Sequence, residues 1–527
     1  MTSDGLPPGK RSFVSFSITD FHFCKKQVLT WAACHDSKAG VDIYCFLDNQ
    51  GYNAGIPSRF ECLLAMGALE SLEATAAAPD NNRRDSSPGN PSPRDPSRPV
   101  DALSRLKEWA ASRQEWLFGH FAYDLAKETE PFHSPDQNAA AIFPATPPLH
   151  PDPIGFPDLF FFVPDILIEL QTDSIRIGSF RADQEAIWQE ISSTSIPCLP
   201  EPATAVIPPF KARFTHDEYL ARVLDLQRHI RRGDCYEINF CQEFFSQPAY
   251  PDPLSTWWSL SQASPTPFSA FYRLKERYLF CASPERYLKK TGATLFSQPI
   301  KGTLARPQYQ PLPNQPLPGQ PLPNQPHPGQ PLPNHPHPGQ PTADQLTADQ
   351  ATADQAAARE LFHSAKDRSE NVMVVDLVRN DLSRICLPGS VRVEELYGIY
   401  PFPQVFQMIS TITGTLLPGM DWTDAIRSTF PMGSMTGAPK NRVVQLIGQY
   451  ERSPRGIFSG AVGYVTPDGD FDFNVVIRSL LYNRESHYLS YQVGSGITFY
   501  SNPQAEYEEC LVKAAGIMLA LGIGQTS

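Results

Sequence analysis

The stretch FSAFYRLKERYLFCASPERYLKKTGATLFSQPI, residues 268–300, decides the fold class. It contains three runs rich in aromatic and aliphatic residues, FSAFYRL, RYLFCAS and ATLFSQPI, which alternate with short polar connections. Such runs predict strands joined as hairpins. Working outward, similar runs follow at 460–466, 473–482 and 489–497, and helical patterns fall near 358–384, 421–429, 439–451 and 503–521. This mixture predicts an α+β fold with large, mainly antiparallel sheets, and it fits a doubly wound parallel sheet less well.

The composition excludes several classes of protein. The chain has 527 residues, of which 41% are hydrophobic and 19% charged, so most of it should be globular. A net charge of -12 argues against a nucleic-acid partner or an anionic membrane surface. The sequence has no apolar run of about eighteen residues, as a membrane span would need, and its first residues lack the apolar centre of a signal peptide. We therefore expect a cytoplasmic protein with no membrane partner.

The chain divides into two ordered regions, residues 1–200 and 205–522. The second opens with a capping box, Thr215 to Glu218, and its first helix should stop at Gly233. Within it, PLPNQPLPGQ, PLPNQPHPGQ and PLPNHPHPGQ follow in register from 311, and TADQ repeats follow from 342. Repeats of this composition lack a core-forming pattern. We therefore predict that 307–356 is a disordered, proline-rich insertion, more simply a neutral expansion than a ligand for a proline-recognition domain.

Two predicted helices carry acidic pairs. In 502–513, Glu506, Glu509 and Lys513 fall on one face, and in 366–379 the same spacing joins Asp367 and Glu370. Two such pairs facing each other would repel unless a cation lay between them, and an all-oxygen set suits Mg²⁺. Taken alone, each pair is more often a solvated helix face.

Three glycine-bearing segments could present backbone N–H groups to an anion such as a carboxylate: PIKGT (299–303), GSMTGAPK (433–440) and GSG (494–496). None has the spacing of a phosphate-binding or dinucleotide-binding motif, and each alone is more simply a structural turn. Arg478, after the apolar run FNVVI, could bind a carboxylate through two hydrogen bonds or form a strand-end salt bridge.

Together these segments resemble one family. The motifs that show the resemblance are SPERYL (283–288), PIKGT (299–303), KDRSENVMVVDLVRND (366–381), FPMGSMTGAPK (430–440), GAVGY (460–464), VIRS (476–479), the GSG at 494–496 and EYEECLVKA (506–514). In this order they closely resemble the chorismate-utilising enzymes across about 205–520. The resemblance implies a two-sheet, mainly antiparallel β-sandwich flanked by helices, as in anthranilate synthase component I. Residues 1–200 would be the leading domain of that type, which in some relatives binds tryptophan.

The resemblance also implies roles for individual residues. Glu370 and Glu509 would bind Mg²⁺, with Asp367 and Glu506 near the ion through water, and Lys513 would help to hold the ring carboxylate of chorismate. Glu285 would be the general acid that protonates the departing 4-hydroxyl. The remaining substrate contacts would come from Arg478 with the amides of Gly494 and Gly496 at the enolpyruvyl carboxylate, and from Thr303, Thr436 and Gly437 at the ring.

Two positions bear on which reaction of the family the chain performs. Lys301 stands where anthranilate-forming and salicylate-type relatives usually have alanine, which favours the branch that forms aminodeoxychorismate, with Lys301 as a nucleophile at ring C2. Glu237 stands where water-adding relatives place a lysine base. Gln407 replaces a histidine of many relatives, and Phe458 a tyrosine of several, so elimination of pyruvate is disfavoured.

Two alternatives stay open at this point: an enzyme that forms anthranilate, and a non-catalytic chorismate-binding subunit. None of the ten cysteines lies in a GxCxG elbow of the kind that carries the nucleophile of glutamine hydrolysis. We therefore expect ammonia to come from a separate glutamine amidotransferase subunit.

Overall fold

The computed structural model describes residues 10–35, 42–52, 60–76, 100–130, 151–196, 206–306, 348–402 and 405–523. These residues form twenty strands and eleven α-helices. Within the described ranges, no helix combines the length and the apolar composition needed to cross a membrane.

The strands, in chain order, are β1 (Ser12–Ser17), β2 (Ile43–Asp48), β3 (Cys62–Ala74), β4 (Leu117–Phe121), β5 (Leu159–Gln171), β6 (Ser174–Ser179), β7 (Lys211–Ala212), β8 (Glu237–Ser246), β9 (Phe268–Leu274), β10 (Arg277–Ser283), β11 (Arg286–Thr291), β12 (Thr294–Gln298), β13 (Ile300–Ala305), β14 (Arg392–Pro401), β15 (Val405–Thr415), β16 (Gly437–Ala438), β17 (Ala461–Val465), β18 (Phe471–Asn474), β19 (Ser479–Asn483) and β20 (Tyr488–Ile497). The helices are α1 (Phe21–Cys34), α2 (Ala102–Ala111), α3 (Ala126–Thr129), α4 (Gln184–Ser193), α5 (His216–Arg232), α6 (Pro253–Ala263), α7 (Ala348–His363), α8 (Ala365–Ser383), α9 (Trp422–Thr429), α10 (Lys440–Tyr450) and α11 (Pro503–Ala520).

The long strand β5 joins two arms of one antiparallel network. Along one edge it pairs with β3, and along the other it pairs with β4 near its start and with β6 near its end. The first arm continues from β3 through β2, β9, β10, β19 and β20 to β8. The second arm continues from β4 through β17, β18, β11 and β12 to β15. The hairpin expected from FSAFYRL and RYLFCAS is confirmed as β9–β10. The run ATLFSQPI instead pairs, as β12, with β11, a strand that the sequence analysis did not predict.

The alternation of side chains along the first arm creates two cores. In β10, Leu279 and Cys281 join a cluster that also contains Phe121 and Phe473 of the second arm. Their neighbours in β10, together with the helices α5, α6, α10 and α11, supply a second cluster on the opposite face of the arm. The two arms therefore pack face to face as the expected sandwich flanked by helices. The two arms are nevertheless one continuous sheet, because β5 is long enough to pair with strands of both arms.

Strands from residues 1–200 lie inside this sandwich. Strand β2 pairs with β9, and β4 pairs with β17, so each arm contains strands from both predicted regions. The cores between and outside the arms are consequently shared by the two regions.

The last residues of the predicted insertion are helical. Residues 307–347 lie outside the described residues, but α7 begins at Ala348, so the prediction of disorder is wrong for 348–356. The TADQ repeats contain alanine and glutamine and no proline, which permits a helix. Arg306 pairs with Asp354 at 2.8 Å between Nε and Oδ2, and Leu361 joins a small core with residues of β14 and β15.

Candidate active site

A cavity of about 870 Å³, counting the space open to solvent at its mouth, lies between α8, α11 and the strands β8, β13, β15 and β20. Ten of the thirteen site residues predicted from the sequence line it: Glu285, Lys301, Thr303, Asp367, Glu370, Arg478, Gly494, Gly496, Glu509 and Lys513. These residues come from three separate stretches of the chain, 285–303, 367–370 and 478–513. Both departures from the family pattern, Gln407 and Phe458, also line this cavity.

The acidic pairs are positioned by the starts of their helices. Ser364 caps α8, and its hydroxyl accepts a hydrogen bond from the Asp367 amide at 3.3 Å. Asn502 caps α11, where its side-chain oxygen accepts hydrogen bonds from the amides at positions 504 and 505. Because the capped turns fix where each helix begins, the i, i+3 spacing then sets the direction of its carboxylates.

A carboxylate cluster, formed by Glu370, Glu506 and Glu509, surrounds the ammonium group of Lys366. The Nζ atom of Lys366 lies 3.2 Å from Glu506 Oε1, 3.9 Å from Glu370 Oε1 and 4.0 Å from Glu509 Oε2. Glu509 also forms an ion pair with Lys513, with 2.7 Å between Oε1 and Nζ. Burial raises the pKa of Glu370 to about 7. Glu370 of the predicted α8 pair therefore lies near both carboxylates of the α11 pair, with cationic side chains among them.

The cluster fits a magnesium ion held by few protein ligands. Glu370 Oε1 and Glu506 Oε2 are buried and have no hydrogen-bond partner among the described residues, and every available donor is an oxygen. Within the same residues, no three His, Cys, Asp or Glu side chains are close enough to form a closed metal cage. Mg²⁺ is commonly held by one or two carboxylates, with waters and an anionic substrate completing its coordination. The metal ligands stay a prediction.

Asp367 has a different environment from the cluster. Its carboxylate accepts a hydrogen bond from the Ser364 hydroxyl, and it lies beside Gly302 on β13. Gly302 adopts a φ of +99°, and a Cβ atom there would lie 3.0 Å from the Cβ atom of Asp367. The glycine of PIKGT therefore lets β13 approach α8 closely in a left-handed conformation.

Lys301 forms an ion pair with Glu237 at the first residue of β8. The two side chains are 10% and 3% exposed, so the pair is almost completely shielded from water. Burial acts to lower the pKa of Lys301, but the charges of Glu237 and Glu370 outweigh it and hold the pKa above its ordinary value. A Cβ atom at Gly496 would lie 2.7 Å from Lys301 Nζ, so the glycine of GSG leaves room for the pair.

Glu285 is a buried carboxyl group in the wall of the same cavity. Its Oε1 accepts a hydrogen bond from the Ser434 hydroxyl at 2.5 Å. Burial raises the pKa of Glu285 to about 7, although the Ser434 hydrogen bond and the charge of Lys301 oppose this shift. A substantial fraction of the group is therefore protonated at neutral pH, as a general acid requires.

The guanidinium group of Arg478 is available to bind an anion in the cavity. The residue adopts a φ of +52°, and among the described residues its side chain makes no hydrogen bond or ion pair. Burial lowers its pKa to about 10, against the opposing charge of Glu509. An arginine that lines a cavity in this way is suited to bidentate binding of a carboxylate.

Three predicted site residues do not line the cavity. Thr436 is buried, and its hydroxyl donates to the Met432 carbonyl at 3.1 Å. A Cβ atom at Gly437 would collide with the Glu237 carbonyl oxygen, so this glycine permits the pairing of β16 with β8. Glu506 lies behind the cavity as part of the carboxylate cluster. The contacts of Thr436 and Gly437 are structural ones, and their roles at the substrate ring stay a prediction.

Sequence reasoning missed two charged partners, Glu237 and Lys366. No local pattern links Glu237 to Lys301. Lys366 stands four residues before Glu370, a spacing that indicates their proximity on one helix face. Gln407 has a free acceptor at the cavity wall: its Oε1 atom is buried and has no hydrogen-bond partner among the described residues.

Comparisons with known proteins agree with the motifs. The family model for chorismate binding enzymes matches residues 54–519. Aminodeoxychorismate synthase component 1 of Salmonella typhimurium is 31% identical over 409 residues, covering 77% of this chain and 76% of that protein. Anthranilate synthase component 1 of Thermus thermophilus is 28% identical over 417 residues, covering 78% of each chain.

The fold also matches a solved structure. The crystal structure of anthranilate synthase component I from Streptococcus pneumoniae superposes with a TM-score of 0.63 at 23% identity, covering 88% of this chain and 93% of that one. At this identity the match establishes the shared fold alone. The relatives named above carry two different products in their names, so the choice between products depends on the residues of the cavity.

Proposed function

We propose that this chain, which belongs to the family of chorismate binding enzymes, converts chorismate and ammonia to 4-amino-4-deoxychorismate. The observation that carries the proposal is that Lys301 and Glu285 line the same cavity, where the charge of Lys301 acts on Glu285. The relative from Salmonella typhimurium, named for this product, gives independent support.

The proposed reaction uses Lys301 as a nucleophile and Glu285 as an acid and base. The neutral amine of Lys301 attacks ring C2, the ring double bonds shift, and the C4–O bond breaks while Glu285 gives its proton to the hydroxyl that leaves as water. Ammonia then attacks C4, the double bonds shift back, the C2–N bond breaks, and the proton lost by the new amine returns to Glu285. The net change is replacement of the 4-hydroxyl by an amino group with release of water.

The charged groups around the cavity would orient the substrate. Arg478 would bind the enolpyruvyl carboxylate near the backbone of Gly494 and Gly496. Glu370 and Glu509 would hold Mg²⁺, with Asp367 and Glu506 reached through water, and the bound ion would supply a counter-charge for the ring carboxylate. Lys513 lies 2.9 Å from the Gly494 carbonyl oxygen, which keeps its ammonium group at the same end of the cavity.

Ammonia would come from a glutamine amidotransferase partner. A glutamine-hydrolysing cysteine must form a thiolate, yet every buried cysteine among the described residues has a pKa raised by desolvation, for example Cys235 to about 11 and Cys241 to about 12. The remaining described cysteine, Cys34, lies at the end of α1, outside the residues that line the cavity. The chain is therefore proposed to act as the synthase component alone.

The alternative product, anthranilate, requires elimination of pyruvate after amination. Gln407 lies in the cavity wall where many relatives have histidine, and an amide cannot transfer a proton at neutral pH. This favours release of the aminated intermediate. The relative from Thermus thermophilus keeps anthranilate formation as the competing hypothesis.

The test uses the purified chain with chorismate and Mg²⁺ and varies only the nitrogen source. With ammonium salts we expect chorismate to be consumed, and with glutamine we expect no consumption until a glutamine amidotransferase is added. Glutamine-dependent turnover by the single chain would contradict the division between two components. Failure to consume chorismate with ammonium would contradict the proposed activity.

A further inference from the structure

The ion pair of Lys301 and Glu237 raises a question that the proposed reaction leaves open. An ammonium group has no lone pair, so Lys301 must lose a proton before it can attack carbon. The geometry points to Glu237 as the base that takes this proton and returns it when Lys301 is released. This inference rests on the proposed function and gives a role to the carboxylate that stands where water-adding relatives place a lysine.

The surroundings of Lys301 favour an internal base over solvent. Its side chain is 10% exposed, and it forms the ion pair directly with Glu237 Oε1. The charge of Glu237 helps to hold the pKa of Lys301 above its ordinary value, so the free amine is scarce at neutral pH unless the proton has an acceptor within hydrogen-bond reach. Glu237 meets that condition, because the proton would move along the existing contact.

The other carboxylates that face Lys301 are less suited to the task. Glu370 on α8 and Glu509 on α11 act on it electrostatically, but neither forms an ion pair with it within the described part of the chain. Glu285 is hydrogen-bonded to Ser434 and has to deliver a proton to the leaving hydroxyl in the same phase of the reaction. A separate acid and base can act together, whereas one carboxyl group cannot do both at once.

The proton balance closes over the cycle. Transfer from Lys301 to Glu237 gives a neutral amine and a neutral carboxylic acid, and the amine forms the C2–N bond as the C4–O bond breaks. When ammonia has added at C4, the C2–N bond breaks, and the departing amine recovers its proton from Glu237. The ion pair is then restored, and no oxidant or further reactant is needed.

The test isolates the first half of the reaction with Glu237→Gln, which has nearly the same shape. Chorismate and Mg²⁺ are mixed with enzyme in the absence of ammonia, the reaction is quenched, and the adduct on Lys301 is measured by intact-protein mass spectrometry between pH 6 and 10. At pH 7 we expect adduct formation to slow by about 100-fold or more, since general-base catalysis contributes effects of this order. The deficit relative to the wild-type enzyme should narrow at high pH, because Lys301 without its carboxylate partner loses its proton to solvent more easily, whereas loss of the Glu285 proton slows both enzymes alike.

Controls separate this role from a structural one. Asp48→Asn breaks another buried ion pair, with Lys25 at 2.9 Å, outside the cavity, and should leave the pH profile of adduct formation unchanged. Glu237→Asp, which keeps a carboxylate, should retain more activity at pH 7 than Glu237→Gln. Chorismate affinity, measured by calorimetry, should be similar in all variants.

Each other outcome has a defined meaning. An adduct that forms at the wild-type rate in Glu237→Gln at pH 7, or a rate lowered equally at every pH, would overturn the role of Glu237 while leaving the proposed function intact. Absence of any adduct on Lys301 in the wild-type enzyme would instead overturn the covalent step of the proposed function, and this inference with it.

Discussion

Replacing Lys301 with methionine removes the ammonium group while keeping a side chain of similar length, and it separates the role of this residue in catalysis from its role in stability. The variant should lose C4 amination because no nucleophile reaches C2, yet it should still bind chorismate, since the contacts proposed for both substrate carboxylates remain. It also leaves Glu237 as an unpaired carboxylate in a site where the side chain is 3% exposed. Breaking a buried ion pair from one side lowers the free energy of unfolding by about 3–5 kcal/mol.

The double variant Lys301→Met/Glu237→Gln should regain most of that stability, because neither position then carries an unpaired charge. It should stay inactive. Urea unfolding followed by circular dichroism gives the free energies, and mass spectrometry gives the rate of amination. Amination by Lys301→Met at the wild-type rate would refute the nucleophilic role, and a double variant no more stable than the single one would refute the energetic importance of the pair.

The remaining predictions concern the metal, the acid and the insertion. Glu370→Gln and Glu509→Gln should each weaken Mg²⁺ binding in a calorimetric titration, because one negative ligand is lost; unchanged affinity in both would contradict the assignment. Since burial raises the pKa of Glu285 to about 7, the protonated acid disappears as the pH rises through 7, so the rate at constant free ammonia should fall above that pH; a rate that is flat to pH 9 would contradict its role. Deletion of 310–345 should change turnover and melting temperature little, because loop-closure free energy varies only with the logarithm of loop length.

Two controls sharpen these experiments. Glu508→Gln changes a carboxylate on α11 that does not line the cavity and should leave Mg²⁺ affinity unchanged. Extending the deletion to 310–354 removes Asp354, the ion-pair partner of Arg306, and should lower the melting temperature where the shorter deletion does not. A collapse of activity in the shorter deletion would show that the repeats take part in catalysis.

Local signals were enough to predict several elements of the fold. The run FSAFYRL became β9 and RYLFCAS became β10, since a short polar connection leaves a hairpin as the simplest arrangement. The capping box at Thr215 is present, and α5 ends before Gly233, which adopts a φ of +86°. In each case the residues that determine the element lie within the element or next to it.

The contacts of the site depended on distant parts of the chain and could not be predicted in the same way. Glu237 and Lys301 are 64 positions apart and meet because of how the strands carrying them are arranged around the cavity. The start of α7 was missed for a similar reason, because a repetitive sequence gives no core pattern of its own, while the later residue Leu361 packs against strands far along the chain. Motifs therefore identified most residues of the cavity but not which charges pair inside it.

The most direct test of the central claim is the structure of the product formed from chorismate, Mg²⁺ and ¹⁵N-labelled ammonium. The proposed function predicts 4-amino-4-deoxychorismate, with the label at C4 and the enolpyruvyl group still attached, as identified by mass spectrometry and ¹⁵N-edited NMR. Labelled anthranilate, with pyruvate released in equal amount, would contradict the claim and establish the competing activity.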